Sequence, residues 1–469
     1  ALLYRTSPNE KPNFQFVIDS LASRDTTHHT PLDLRIQNLI IRHSNVRYDL
    51  LSAPITHNKL NLNHLNVKDI SGHINLNTLT DDRIDATVRN LSFAEASRLD
   101  VRKLHLRLKM NKQQAIQIRL LNQQLLSPLY ERPEDIVAWQ GAMQAQDYNY
   151  FRWAIGIRQQ MPQLLRLQEA FAKAELLRLH LLRCTVQVVS HTDIGWLLPL
   201  CKERNLRTLQ SWHKSINVSF PESYFEEITR AMQELLAGGK SLPKKAIAEK
   251  LTTLGFLLDD RLLTSLLVRM EIEGLLCSGE MQGREATWAL LSERVPTIYS
   301  LTPDEALKQL ALKYFRSHSP ASLEDFVWWS GLPKAQCRKA LTLIANEIEE
   351  TKVEEETMYL YHNTPDCSDY AGMVLLLPPY DEYLIGYKSR WVALEKKHTA
   401  KAHNNFGIFK PVILHEGRVV GNWKASIDKQ GENLTIDFFA EKSKIGKQSL
   451  QGAVNQFVEF CKVTTANGS

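Results

Sequence analysis

A repeated order of helices and strands in the middle of the chain constrains its fold more than any other feature of the sequence. Residues 220–295 predict three helices and then two short strands, because apolar residues recur at helical spacing and give way to two short apolar runs. The first helix covers 222–237 and ends at a Gly-Gly pair, Ser241 caps the second, and Asp259 begins the third. The same order is predicted again about 80 residues later.

The second copy has the same three helices and two strands. Its predicted helices cover 303–317, 323–331 (capped by Ser322) and 333–348, and its strands lie near 349–353 and 357–362. Three helices followed by a two-stranded hairpin form a winged helix, in which the turn between the strands is the wing. Gly283 and Arg284 occupy that turn in the first copy. Because the order occurs twice, the sequence predicts a tandem winged-helix architecture.

Residues 1–109 differ from the rest of the chain in composition and periodicity. They contain no Met, Trp or Cys and a single glycine, Gly72, whereas all eight Met, nine Trp and six Cys follow. Stretches such as the Ile-Asn-Leu-Asn run at 74–77 alternate apolar and polar residues, which is the period of half-buried strands. We therefore expect an all-β N-terminal segment of antiparallel strands that ends at the Lys109/Met110 junction.

The remaining chain completes a predicted α+β fold. A helix capped by Asn111, further helices near 150–160 and 164–182 and a short strand at 185–190 are expected first, and four strands and a last helix at about 447–461 end the chain. The predicted domains are the all-β segment (1–109), a first winged-helix-like catalytic region (110–219), two winged helices (220–296 and 297–365) and a C-terminal β-rich domain (366–469).

Charge and cysteine content limit the classes of function. A formal charge of +5 in 469 residues allows a nucleic-acid partner but confines it to a local patch. The six cysteines form no Cys-x-x-Cys pair, and no phosphate-binding glycine loop occurs, so we expect a reducing compartment and neither a metal nor a cofactor. No apolar stretch approaches the ~18 residues of a membrane span. Residues 110–469 are therefore expected to be a cytoplasmic monomer without a membrane partner.

The best candidate for chemistry is the polar stretch from Trp139 to Tyr148. Pro133 suits the first position of a helix that is expected to stop near Gln144. Gln144 and Gln146 are two residues apart, so a continuing helix would point them about 200° apart, whereas an extended bend would aim both at one place. The other interpretation is that both glutamines cap a helix end.

Seven blocks of residues carry a resemblance to a known family. In chain order they are Arg119–Leu125, Val137–Trp139, Gln144–Tyr148, Trp153–Arg158, Arg284–Pro296, Asp325–Leu332 and Leu377–Tyr387. Together they resemble the AlkZ-like winged-helix DNA glycosylases, in which a Gln-x-Gln pair is the catalytic signature; here that pair is Gln144 and Gln146. The resemblance implies DNA repair by hydrolysis of the N-glycosidic bond of an alkylated base, an N7-alkylpurine or a crosslinked one, in double-stranded DNA.

Further residues are expected to line the cleft or to contact DNA. The cleft-lining candidates are Asp147, Gln187, Asp381, Glu382 and Arg390, with capping, turn and salt-bridge roles as the alternative for Asp147 and the last three. Family members often carry an aromatic residue and a histidine in this strand, where this chain has Val186 and Gln187. His191 and His213 are the remaining candidates for an acid or base role, and surface or capping roles are expected for both. The candidates for DNA contact are Arg261, Arg269, Arg284, Lys334, Arg338 and Lys339. The adjacent Trp328 and Trp329 are expected to pack in the core.

Two other interpretations follow from parts of the sequence. Winged helices also bind DNA without chemistry, so the rival function is a non-catalytic DNA-binding regulator; formation of abasic sites in alkylated DNA would distinguish the two. Residues 13–21, 39–43 and 67–74 resemble a fragment of the TamB-like envelope proteins, which implies strands that face the periplasm. Because one chain cannot serve both compartments, the Lys109/Met110 junction is interpreted as an accidental fusion or an assembly artefact.

Overall fold

The structure, a computed structural model, divides the chain into two compact units. These units are Ala1–Leu108 and Lys109–Ser469. The described residues are 2–5, 10, 13, 34–54, 61, 63–79, 84–95, 100–104, 109–282, 285–362, 370–425, 434–440 and 445–462.

The strands described in the first unit form one five-stranded sheet. Its strands are β1 (Leu2–Arg5), β2 (Leu34–Leu50), β3 (His64–Leu79), β4 (Ile84–Glu95) and β5 (Asp100–Leu104). They lie side by side in chain order. Strands β2 to β5 pair antiparallel, as the alternation at 74–77 predicts, whereas β1 pairs with β2 in parallel. The interpretation of this segment as an envelope-protein fragment stays a prediction.

The second unit opens with the short strand β6 (Lys109–Met110) and the helix α1 (Lys112–Asn122). The predicted cap of this helix is confirmed. The Asn111 side chain accepts a hydrogen bond from the Gln114 backbone N–H, and the Gln114 side chain accepts one from the Asn111 N–H, both at 2.9 Å. Two of the N–H groups that lack a partner at every helix start are thereby satisfied.

Three segments then show one element order: a helix, a short strand, two helices and two strands. The first segment comprises α2 (Pro133–Gln140), β7 (Met143–Gln144), α3 (Phe151–Gly156), α4 (Leu164–Ala172), β8 (Leu176–His180) and β9 (Val186–Ser190). Strand β9 lies between β7 and β8 and is antiparallel to both.

The helix predicted over 164–182 is wrong beyond Ala172. Residues Leu176–His180 form β8 because they pair with β9 along their whole length, and Leu176, Leu177 and Leu179 are fully buried. Leucine and arginine favour helices in isolation, but burial and strand pairing outweigh that preference here. The strand predicted at 185–190 is confirmed.

The second and third segments follow the long helix α5 (Ile194–Ile216). The second comprises α6 (Glu222–Leu236), β10 (Leu242–Pro243), α7 (Lys244–Thr253), α8 (Asp260–Glu273), β11 (Leu276–Ser278) and β12 (Thr287–Leu290), and the short helix α9 (Leu291–Arg294) follows it. The third comprises α10 (Pro303–His318), α11 (Leu323–Ser330), α12 (Lys334–Leu343), β13 (Ile348–Val353) and β14 (Glu356–Tyr361). The residue Ala321, bridged to Tyr359, takes the place of the first strand.

The caps of these helices confirm two predictions and correct one. The side chain of Asp259 accepts from the Leu262 N–H, and Ser322 forms a capping box with Asp325. Ser241 does not cap α7, because that helix begins at Lys244 and Pro243 occupies the cap position. The Ser241 hydroxyl accepts a hydrogen bond from the backbone N–H of Glu280 instead.

The C-terminal domain shares its hydrophobic core with the first segment. It contains β15 (Val374–Leu377), α13 (Glu382–Ile385), a 3₁₀ turn (Lys396–His398), α14 (Thr399–Ala402), β16 (Val412–His415), β17 (Arg418–Lys424), β18 (Thr435–Phe438) and α15 (Lys447–Cys461). The four strands form one antiparallel sheet in chain order, and with α15 they confirm the elements predicted here.

The ring of Trp153 on α3 lies 5.3 Å from Phe457 and 5.1 Å from Phe460 on α15, and its indole N–H donates to the Leu376 carbonyl at 2.7 Å. Each buried aromatic side chain of this kind stabilises the fold by roughly 1.5–3 kcal/mol. A side chain at Gly156 would come within 2.5 Å of the Phe460 ring, so the close approach of α3 and α15 requires glycine there. This core fixes β7 relative to α13.

None of the helices in the described residues combines the length and the apolar composition that crossing a bilayer requires.

Candidate active site

The helix α2 ends at Gln140, earlier than the position near Gln144 that the sequence predicts. Gly141 adopts φ = +85°, a conformation that glycine tolerates and other residues rarely adopt. The ammonium group of Lys313 on α10 donates to the Ala138 carbonyl at 2.7 Å and so satisfies an acceptor at the helix end. Gln144 is thereby released from the helix and pairs with Gln187 on the neighbouring strand β9.

The side-chain amide of Gln144 is held by its strand neighbour. Gln187 Nε2 donates to Gln144 Oε1 at 2.8 Å and lies 2.9 Å from the hydroxyl oxygen of Thr185. Gln144 is 6 % exposed and Gln187 is 1 % exposed. The predicted cleft-lining residue Gln187 therefore contacts the predicted catalytic residue directly, and it orients the Gln144 oxygen towards β9.

Gln146 lies in the bend that follows β7 and is exposed, whereas Gln144 is buried. The backbone N–H of the intervening Ala145 donates to the Val186 carbonyl at 2.9 Å, which keeps the segment extended beyond β7. Asp147 caps the turn that follows, because its carboxylate accepts from the N–H groups of Asn149 at 3.0 Å and Tyr150 at 3.2 Å. The structure thus gives Asp147 the capping role.

Glu382, the first residue of α13, brings a buried carboxylate to the backbone of Gln144. One carboxylate oxygen accepts from the Gln144 N–H at 2.7 Å, and the other accepts from the Trp329 indole N–H at 3.0 Å. His318 Nε2 lies 3.4 Å from the second oxygen. The side chain is 1 % exposed, so the structure places Glu382 directly behind the catalytic candidate.

The charge state of this cluster follows from its surroundings. Burial by itself would raise the pKa of Glu382, but the contact with His318, the Gln144 N–H and the charge of Arg183 outweigh burial and lower that pKa. Burial lowers the pKa of His318, although Glu382 opposes this. We infer a carboxylate beside a neutral imidazole at neutral pH. The negative charge lies one hydrogen bond from the Gln144 backbone.

Asp381 has a structural role. Arg158 donates to its two oxygens at 2.8 and 2.7 Å, and both side chains are almost completely buried. The same carboxylate caps α13 through the Tyr383 N–H at 2.9 Å. Because both carboxylate oxygens accept hydrogen bonds from the protein, Asp381 does not line the cleft. It holds the first turn of α13, and therefore Glu382, in place.

The expectation that both Trp328 and Trp329 pack in the core is wrong for Trp328. Trp329 is 1 % exposed, whereas Trp328 is 37 % exposed. The guanidinium groups of Arg183 and Arg390 lie 5.7 and 5.3 Å from the centre of the Trp328 ring. Arg390, a predicted cleft residue, therefore lies at an exposed aromatic surface. The sequence carried no signal for Arg183, because it lies in the short turn between β8 and β9.

The predicted DNA-contact residues fall into three groups. Arg269 donates to Glu222 and Glu273 and lies 3.7 Å from the Phe225 ring centre, so it ties α6 to α8. Lys334 and Lys339 are exposed but pair with Glu324 and Asp304. Arg261 and Arg338 are exposed on the surface. Arg284 lies outside the described residues. Of the described residues, Lys334, Lys339, Arg261 and Arg338 remain candidates for phosphate contacts.

Comparisons with known proteins agree with one another. A family model described as "DNA glycosylase AlkZ-like" matches residues 137–460. An interstrand DNA cross-link repair glycosylase of Streptomyces sahachiroi is 23 % identical over 320 residues, which are 65 % of this chain and 85 % of that protein. The solved structure of the Streptomyces sahachiroi DNA glycosylase AlkZ superimposes with a TM-score of 0.62 at 21 % identity and covers 76 % of this chain and 97 % of its own.

Proposed function

Because the chain belongs to the AlkZ-like family of DNA glycosylases, we propose that it removes N7-alkylated purines from double-stranded DNA and that Gln144 and Gln146 carry the reaction. The single observation that supports this assignment is the placement of the two amides. Gln144 is held by Gln187 and Glu382, and Gln146, two residues further along the chain, is open to solvent.

Hydrolysis of the N-glycosidic bond of an N7-alkylated purine does not require a strong general base. An N7-alkylated purine carries a positive charge that makes it a good leaving group, and the departing base leaves an oxocarbenium-like sugar cation. The exposed amide of Gln146 can accept a hydrogen bond from the attacking water and turn its oxygen dipole towards the cation. The Gln144 oxygen already accepts a hydrogen bond from Gln187. The Gln144 NH₂ group can therefore orient the attacking water by donating a hydrogen bond to it.

Glu382 contributes an electrostatic effect from behind the glutamine pair. Its carboxylate is buried and accepts a hydrogen bond from the Gln144 N–H, so its negative charge lies close to the residue proposed to act on the sugar cation. A preorganised negative charge in a water-poor environment stabilises such a transition state and costs no reorganisation when the bond breaks. Glu382 touches no substrate in this scheme, so its proposed role is to position Gln144 and to provide charge.

We also propose that the three repeated segments are tandem winged helices. In each of them the last strand pairs with both the first strand position and the strand before it, which is the strand arrangement of that fold. The DNA partner follows from the family. The relative from Streptomyces sahachiroi is named for cross-link repair, and by analogy we propose that crosslinked N7-alkylguanines are substrates. The proposed form is a cytoplasmic monomer.

The test is a base-release assay on duplexes that contain one N7-methylguanine. Wild-type protein is expected to produce abasic sites, and replacing Gln144 or Gln146 by Ala should slow base release by about 10²-fold or more while DNA affinity stays within a few-fold. Gln210→Ala is the matched control, because Gln210 is an exposed glutamine on α5. Equal losses of affinity and rate in the Gln144 and Gln146 variants would identify them as structural residues.

A further inference from the structure

The turn between β8 and β9 holds an arginine, Arg183, for which the described residues supply no acceptor. Arg183 adopts φ = +60°, and among the described residues none accepts a hydrogen bond from its buried Nε or forms an ion pair with its guanidinium. Gly331, also at positive φ, leaves room for it: a side-chain carbon there would lie 2.8 Å from Arg183 Cγ. Burying a charged guanidinium without a partner costs free energy, and a bound ligand that accepts its hydrogen bonds would offset that cost.

Arg390 is the second arginine beside Trp328, and it too has a donor without an acceptor among the described residues. Its Nε and Nη1 donate to the carbonyls of Leu384 and Lys388, which fix the orientation of the fork. Its Nη2 is buried, and no hydrogen-bond partner for it occurs in the part of the chain that the structure describes. Burial lowers the pKa of Arg390 to about 10, so it is charged at neutral pH. Two guanidinium groups, each with one donor that has no acceptor among the described residues, therefore lie 5.7 and 5.3 Å from the ring centre of one partly exposed indole.

This group adjoins the catalytic candidates. Arg183 lies close enough to Glu382 for their charges to shift each other's pKa, and Thr185, two residues along, lies 3.3 Å from Gln144 Oε1. The Trp328 indole N–H donates at 2.8 Å to the Ile385 carbonyl of α13, the helix that begins with Glu382. A ligand bound here would be a neighbour of whatever reacts at Gln144.

We propose that Arg183, Trp328 and Arg390 bind the damaged DNA strand beside the lesion. Each guanidinium donates to a backbone phosphate, which is the anion that its planar fork matches best. The exposed face of Trp328 stacks on a base or deoxyribose between those phosphates, a sequence-independent contact that suits a repair enzyme. The proposal rests on the proposed glycosylase function, because these three residues would hold the DNA strand that carries the reacting base.

The experiment measures the salt dependence of binding to a duplex with a tetrahydrofuran abasic-site analogue, which needs no chemistry. Loss of one phosphate contact lowers the slope of log K against log salt by about 0.9. Arg183→Gln and Arg390→Gln should each show that change. Arg207→Gln should not, because Arg207 is an exposed arginine on α5 paired with Glu203. Trp328→Ala should weaken binding about 5-fold or more at unchanged slope, and Trp328→Phe should retain most of the affinity.

A conservative variant separates phosphate binding from a structural role. Arg183→Lys keeps the charge, so its salt slope should return towards that of the wild type. Unchanged salt slopes in both Gln variants would overturn the proposal. It would also be overturned if Arg183→Lys fails to restore the salt slope and has a lowered melting temperature, because the arginine would then be structural. Wild-type base release from N7-methylguanine is measured in parallel. If release occurs but the slopes do not change, only this inference fails; if no base is released, the proposed function fails first.

Discussion

Replacing Glu382 by Gln is the substitution that best tests how the active site is built. The change preserves the shape of the side chain and removes its charge. Glu382 uses one oxygen for the Gln144 N–H at 2.7 Å and the other for the Trp329 indole N–H at 3.0 Å. A glutamine has one oxygen and one NH₂ group, so in either orientation one of these buried donors faces another donor.

The magnitude follows from that conflict. A buried donor left without an acceptor costs about 1–3 kcal/mol, and the surviving hydrogen bond loses its charge assistance. We expect Glu382→Gln to lower the free energy of unfolding by about 2–3 kcal/mol. Because the Gln144 backbone loses its anchor, base release should also fall by about 10-fold or more at temperatures where the variant is folded.

Thermal melting by circular dichroism and single-turnover release of N7-methylguanine measure the two effects. Glu227→Gln is the matched control, since Glu227 is an exposed carboxylate on α6. A Glu382→Gln protein with wild-type melting and a wild-type rate would refute the claim that this carboxylate organises the site. A lowered melting temperature with an unchanged rate would confine Glu382 to a structural role.

Three further predictions concern substrate choice, pH and domain independence. N7-alkylguanine should be released at least ~100-fold faster than uracil from matched duplexes, a barrier difference of about 2.7 kcal/mol; comparable rates would refute catalysis by two amides. Since His318 has a lowered pKa in the fold, the unfolded chain binds more protons below about pH 6.5 and stability should fall on acidification; His318→Gln should flatten this dependence in melts between about pH 7.5 and 5.5. A chain that starts at Met110 should keep the helical far-UV spectrum and all base-release activity, and loss of either would contradict an independent catalytic unit.

Three of the four predicted helix caps were correct, because both partners lie close along the chain, and the cap predicted at Ser241 was wrong. The capping boxes at Asn111 and Ser322 and the cap at Asp259 each join residues three positions apart, so their patterns are visible without knowledge of the fold. The repeated order of helices and strands in 220–295 and 303–362 was visible for the same reason. The identity of Gln144 and Gln146 as the candidate pair came from family resemblance and stays a prediction.

The tertiary structure decided everything that joins distant segments. A helix was expected over 164–182, yet Leu176–His180 became a strand because it could bury its leucines and pair with β9. Likewise, nothing in the sequence places Glu382 against Gln144, 238 positions away, or distinguishes exposed Trp328 from buried Trp329.

Sequence by itself determined the helix starts at Asn111, Asp259 and Ser322, because their hydrogen bonds close within a few residues. Tertiary packing decided the charge and exposure of the candidate site. Whether the Glu382 carboxylate is ionised and whether the Trp328 ring is accessible depend on residues that are distant in the sequence.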